Sequence, residues 1–228
     1  MNAMREVAAK PMVPQDPMGF TVVRVPFFLE PDYSTDPSFE ETNRVRLIRK
    51  WGGKAGWDAQ KRRHGLKERG LEVGIPKFNL DRIASNTLAS HRLVQWVTRT
   101  LGINAAETMY NSLNKLHFED GQKLNNTAML VEEAVAVGAD AEEAREFLES
   151  EAGKPEIQAA QAKLRELGVS GIPTLILAGK WQMPSGAISA SSLVDAFRQL
   201  EEMGGGTGSM FAEALAIPDT VMEETLVL

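Results

Sequence analysis

Apolar positions along this chain change period twice, and the two changes mark out its elements. Phe20-Thr-Val-Val-Arg-Val-Pro-Phe-Phe-Leu29 is rich in β-branched and aromatic residues, with Val23 and Val25 on one parity; this suits a strand with one face more buried than the other. From Asp36 to Leu167 no segment reads as a strand, and apolar residues recur at helical spacing between clear stops. Ser38 is placed to cap a helix that turns Phe39, Val45, Ile48 and Trp51 inward. A helix over 86–101 carries Leu93, Trp96, Val97 and Leu101 and stops at Gly102; the next, over 104–118, offers Met109, Tyr110, Leu113 and Leu116. A third, over 126–137, closes at Gly138, where a left-handed residue is cheap. Asp140-Ala-Glu-Glu143 has capping-box spacing. Pro155 suits the first turn of a helix that runs to Gly168 and buries Ile157, Ala160, Leu164 and Leu167. The period then returns to two. Ile172-Pro-Thr-Leu-Ile-Leu177, a reversal at Ala178-Gly-Lys180 and Trp181-Gln-Met183 predict a hairpin. Ser189 or Ser191 opens a last amphipathic helix with Leu193, Val194, Phe197, Leu200 and Met203, ended by Gly204-Gly-Gly206.

Prolines 11, 14 and 17 break the leader, so residues 1–19 are expected to be poorly ordered beyond a short helix in the first ten. Residues 204–228 read as a glycine-rich link and a short tail. Composition narrows the function classes. Hydrophobic residues make up 43% and charged residues 25%, the balance of a globular chain, and a net charge of −6 gives no global pull toward nucleic acid or an anionic membrane. No apolar run approaches a bilayer span and no signal-peptide core stands at the N-terminus, so the sequence predicts a soluble, cytoplasmic protein. Residues 41–70 hold ten Lys or Arg against three Asp or Glu, with Trp51 and Trp57 between them; the preferred reading is a solvated helical face, not a nucleic-acid site. His64 and His117 have no partner at metal-ligand spacing and are expected to be solvated. The chain has no cysteine. Disulfide staples, thiolate nucleophiles and Cys-ligated zinc are therefore excluded for these residues.

Four segments in order carry a resemblance: Pro26-Phe-Phe-Leu-Glu-Pro-Asp32, Asn86-Thr-Leu-Ala-Ser-His-Arg-Leu93, Gly168-Val-Ser-Gly-Ile-Pro-Thr174 and Ser185-Gly-Ala187. With the helical block between them, residues 20–201 resemble the DsbA family, in its FrnE and 2-hydroxychromene-2-carboxylate isomerase-like branch, with kappa-class glutathione transferases as neighbours. The resemblance implies an α/β thioredoxin-like fold with an inserted helical domain. Its core halves are expected at 20–35 and 168–203, its helical insertion and connecting helix at 36–167. It implies that the Ile172–Pro173 bond is cis, and that Ile172, Pro173, Thr174, Asn86 and His91 lie on the substrate side; for His91 a helix-packing role stands beside that one. Only 19 residues precede Phe20, too few for a βα unit of roughly 30. The N-terminal βα unit and its cysteine loop are thus expected to be missing, the chain truncated relative to its family, and the strands at 20–29 and 173–183 left without their central neighbour.

Three functions follow. The first is a redox-inactive domain of the thiol-disulfide oxidoreductase family that binds a peptide or a thiol-containing small molecule without a cofactor and forms a homodimer through exposed strand edges. The second is an active oxidoreductase or isomerase whose CxxC exon lies outside this sequence. The third is a kappa-transferase-like enzyme that binds glutathione.

Overall fold

Helix starts and stops follow local chemistry, which is why most of them were legible. A computed structural model describes residues 1–36, 38–63, 65–206 and 208–228, without the side chains of residues 66 and 67. His64 thus lies outside the described residues. In chain order the elements are α1 (Asn2–Ala9), β1 (Glu41–Thr42), α2 (Asn43–Lys50), α3 (Lys54–Arg63), α4 (Leu66–Glu72), β2 (Ile83–Ala84), α5 (Leu88–Phe118), α6 (Thr127–Ala136), α7 (Ala141–Glu149), α8 (Lys154–Glu166), β3 (Ile176–Leu177), β4 (Trp181–Gln182), α9 (Ala190–Glu202) and α10 (Asp219–Met222). Among the described residues the strands form two antiparallel pairs, β1 with β2 and β3 with β4. The chain divides into two compact units. One comprises residues 1–29, 94–107 and 151–228, the other 30–93 and 108–150.

The first unit contains two apolar clusters. In one, Ala3 and Val7 of α1 meet Phe20, Phe197 and Leu200, with the Phe20 and Phe197 rings edge to face at 5.0 Å. The short helix expected in the first ten residues is α1, its apolar side is buried against α9, and beyond it, where poor order was expected, Met12 N–H donates to Glu201 Oε1 at 2.7 Å. In the other, Phe211, Leu215, Ile217, Val221 and Leu226 are buried with Ile103, Ala160 and Leu164. The segment expected to be a tail is thus a large part of a core.

Residues 20–29 correct a second expectation. They are extended but pair in no ladder. Pro26 has no N–H to give to one, and side chains and tail backbone satisfy the carbonyls instead. Gln95 Nε2 donates to Arg24 C=O at 2.6 Å, Gln161 Nε2 to Pro26 C=O at 2.5 Å, and Leu226 N–H to Phe20 C=O at 2.7 Å. Val22 and Val23, on opposite parities, both pack against the second cluster, so the alternation of a half-buried strand has no role here.

Helix α5 breaks where the sequence predicts. Gly102 sits at φ 88°, ψ 177°, a conformation essentially reserved for glycine, and the following Ile103 N–H donates to Glu224 Oε2 at 2.9 Å.

In the second unit Thr42, not Ser38, caps α2: its Oγ1 accepts from Val45 N–H at 3.4 Å. The cap moves because residues 41 and 42 pair with 84 and 83 in β1–β2, a short ladder inside a stretch expected to hold no strand. The helix consequently turns differently from expectation. Val45 is 55% and Trp51 41% exposed, while Trp57 of α3 is 4% exposed. Farther along, Asn126 and Asp140 cap α6 and α7 through Oδ1, Asp140 accepting from Glu142 and Glu143 N–H at 2.8 and 3.0 Å. These helices pack together over Leu130, Ala134, Ala144 and Phe147.

Candidate functional site

Gly168 ends α8 with φ 67°, and Val169 N–H reaches back to Leu164 C=O at 2.9 Å, a left-handed stop that releases the chain into Ser170–Thr174. The Ile172–Pro173 bond is cis. Everything after it is held. Pro173 C=O accepts from Gly186 N–H at 2.8 Å and from Ser185 Oγ at 3.4 Å, and Thr174 Oγ1 donates to Gly171 C=O at 2.8 Å and lies 3.1 Å from Ser185 Oγ. The Ser185-Gly-Ala187 segment thus serves to clamp the proline loop. The reversal at Ala178 and Gly179 has φ of 49° and 68°, both in the left-handed region, and closes with Lys180 N–H on Leu177 C=O at 3.1 Å.

That hairpin fixes which way the backbone points. Met183 N–H donates to Leu175 C=O at 2.8 Å, and the register pairs Ile176 with Gln182 and Leu177 with Trp181. Leu175 and Leu177 therefore aim their polar groups at β4, and by alternation Thr174 and Ile176 aim theirs at the opposite edge. Among the described residues neither the N–H nor the C=O of Ile172 or Thr174 has a partner, and the Ile172 side chain is 49% exposed. The result is a short rigid edge with unused main-chain groups.

The other two sequence candidates, Asn86 and His91, belong to the second unit. Asn86 is buried with both ends of its amide committed: Nδ2 donates to Tyr33 C=O at 2.7 Å and Oδ1 accepts from Leu88 N–H at 2.8 Å at the start of α5. His91 lies in the first turn, its N–H bonded to Thr87 C=O at 3.0 Å. Sequence reasoning passed over Arg92 beside it. Arg92 is 4% exposed and its Nη atoms donate to the carbonyls of Phe147, Leu148 and Ser150 at 2.8, 3.3 and 2.7 Å. Nothing local distinguishes it from a surface arginine, because its acceptors are more than fifty residues away.

His117 also departs from expectation: it is hydrogen-bonded and half-buried. Its Nε2 accepts from Arg82 Nε at 3.3 Å, which leaves the ring proton on Nδ1, donated to Gln122 C=O at 2.9 Å. Burial lowers its pKa below the ordinary 6.5, and the Arg82 and Arg46 charges add to that against the pull of the Gln122 carbonyl. Burial likewise pushes the Arg82 guanidinium down to about 10. The unfolded chain therefore takes up a proton near pH 6.5 that the folded chain refuses. Stability from this group is fully present above about pH 7.5 and declines as pH falls through 6.5 and below. Denaturant unfolding between pH 7.5 and 5 should show that decline, and His117→Gln should flatten it; an unchanged slope would place the pH dependence elsewhere.

Among the described residues no three of His, Cys, Asp and Glu stand close enough to share a metal ion, and no helix is long and apolar enough to cross a membrane. The sequence profile of the DSBA-like thioredoxin domain matches residues 60–198. Among solved structures, one from Streptomyces coelicolor described as a probable DsbA oxidoreductase is 26% identical, with a TM-score of 0.72, over 86% of this chain and 81% of that one. No curated protein matches the sequence.

Proposed function

Because the chain belongs to the family of DSBA-like thioredoxin domains, with a thioredoxin-like, helix-rich α/β fold, we propose that it is a FrnE-type binding member of that oxidoreductase family. In this reading it holds an extended peptide along the edge from Ile172 to Ile176 and performs no thiol–disulfide exchange with its own residues. Exchange needs a thiolate to attack a sulfur, and these 228 residues contain no cysteine. What remains is recognition. The observation that carries the reading is the held proline loop with the free N–H and C=O groups of Ile172 and Thr174 beside it. Strand addition takes its affinity from such main-chain groups and its selectivity from alternate side chains. Asn86 and His91 stay proposed as substrate-binding residues on the family resemblance alone.

The test uses alternation. An extended, cysteine-free decapeptide titrated into the full chain should shift the amide resonances of residues 172–176. N-methylation of every second peptide residue should abolish binding in one phase and leave it within about threefold in the other, since only alternate residues face the edge. Equal binding of both phases, or shifts that avoid 172–176, would overturn the reading. In parallel, the purified chain should give no insulin reduction above buffer; measurable turnover would show that its chemistry does not depend on its own thiols.

A further inference from the structure

We propose that the cleft around Tyr33 binds an organic cation, a primary ammonium or guanidinium group carried on an apolar stem, at a site independent of the Ile172–Ile176 edge. The cleft is open to solvent, has a volume of about 380 Å³ within the second unit and is lined by Glu30, Asp32, Tyr33, Phe39, Glu41 and Arg49. Three carboxylates thus face one guanidinium.

The walls are set before any ligand arrives. Asn86 holds the Tyr33 carbonyl, and the Tyr33 hydroxyl donates to Glu41 Oε2 at 2.5 Å. Arg49 closes on the same carboxylate from Nε and Nη2 at 3.3 and 3.0 Å. Arg46 Nε fixes Glu30 through Oε1 at 2.7 Å. Burial first, and the bond to Glu41 second, raise the Tyr33 phenol well above its ordinary value, so it stays a hydrogen-bond donor locked onto Glu41 across the neutral range. The Tyr33 and Phe39 rings, 5.1 Å apart and tilted by 56°, form the apolar side.

What is left over decides the charge of the ligand. Arg49 is paired with Glu41 through Nε and Nη2, so its charge is offset within the cleft and the balance of the lining is negative. The exposed Asp32 carboxylate has no hydrogen bond or ion pair among the described residues, and Glu30 Oε2 lies 3.9 Å from Arg49 Nη2, beyond hydrogen-bonding distance. Two acceptors therefore remain for N–H donors. The carboxylates are not grouped closely enough to hold a metal ion, which favours a larger cation that spans them. Aromatic faces add to the selection, because a cation within about 6 Å of a ring centroid is attracted by its quadrupole. Such a group can come free, as a small diamine-like molecule, or as an Arg or Lys side chain of a peptide.

The test is a titration of the full chain at low salt with agmatine in one arm and N-acetyl-arginine methylamide in the other. We expect saturable one-to-one binding with Kd below about 1 mM and amide shifts centred on residues 30–49. A tighter fit for capped arginine would identify a peptide side chain as the source, a tighter fit for agmatine a free amine, and either outcome supports the site. Asp32→Asn should weaken binding about tenfold or more, as loss of a charge-assisted acceptor does, without disturbing the fold, since that carboxylate supports nothing else. Asp195→Asn, an exposed carboxylate on α9, should leave binding unchanged. Absence of saturable binding in both arms, shifts outside 30–49, or equal affinity of Asp32→Asn and the parent chain would overturn the proposal.

Discussion

Leu215→Ala is expected to destabilise the protein by about 2–5 kcal/mol, the range for truncating a fully buried leucine whose surroundings cannot collapse. The side chain is 0% exposed and shares its cluster with Ile103, Leu164, Phe211 and Ile217. The backbone around it is held as well: Arg99 Nη1 donates to Leu215 C=O at 3.3 Å, and Leu215 N–H to Phe211 C=O at 2.9 Å. Denaturant unfolding should show a lower midpoint. Val227→Ala, at a side chain 79% exposed, should stay within about 0.5 kcal/mol of the parent. A loss at Leu215 no larger than at Val227 would mean that the last twenty residues are an appendage and not part of the core.

The second large effect is expected at Arg92. Its guanidinium supplies N–H donors to the carbonyls of Phe147, Leu148 and Ser150 at the C-terminal end of α7, where helical carbonyls have no partner of their own and a positive charge is favoured. It also lies over the Phe147 ring at 5.0 Å. Arg92→Met keeps the length and apolar bulk but withdraws the guanidinium donors from a site that is 4% exposed, and leaves the Ser150 hydroxyl on the Phe147 carbonyl at 2.8 Å. A cost of about 3 kcal/mol follows. Hydrogen exchange at the end of α7 should rise with it, because the loss is local to that helix end. An unperturbed α7 in Arg92→Met would show that water replaces the guanidinium at no cost.

These two positions show how far the residue pattern reaches. Gly102 and Gly138 were legible as breaks, Asp140 as a cap, Ser189 as one of two candidate caps with Ser191, and Ala178–Gly179 as a reversal, because each depends on partners within a few residues. The apolar spacing of Phe211, Leu215, Ile217 and Val221 is visible too, yet a glycine-rich approach and a short length made it look like an appendage. Arg92 gave no signal, since its acceptors stand more than fifty residues away, and for His117 the unforeseen partner is Arg82, 35 residues earlier.

Of the site, the proline loop was legible and the cleft was not. Gly168, Pro173 and the hairpin are consecutive, and their order within the chain points to the family. The Tyr33 cleft joins a loop, β1, α2 and Asn86, and Asn86 stands 53 residues from the Tyr33 carbonyl that it holds.

What the sequence alone determined is therefore the chemistry that this chain cannot perform and the local frame of its elements: no cysteine means no thiol exchange by its own residues, and caps and glycines set where helices begin and end. Only the tertiary structure decided what residues 20–29 pair with, and the answer is two glutamine side chains and a backbone amide from the tail rather than a neighbouring strand. Those partners stand 71, 135 and 206 residues from the carbonyls they satisfy, at Arg24, Pro26 and Phe20. A strand-like composition records only a preference for extended backbone, whereas the groups that meet that backbone are chosen by packing across the whole unit.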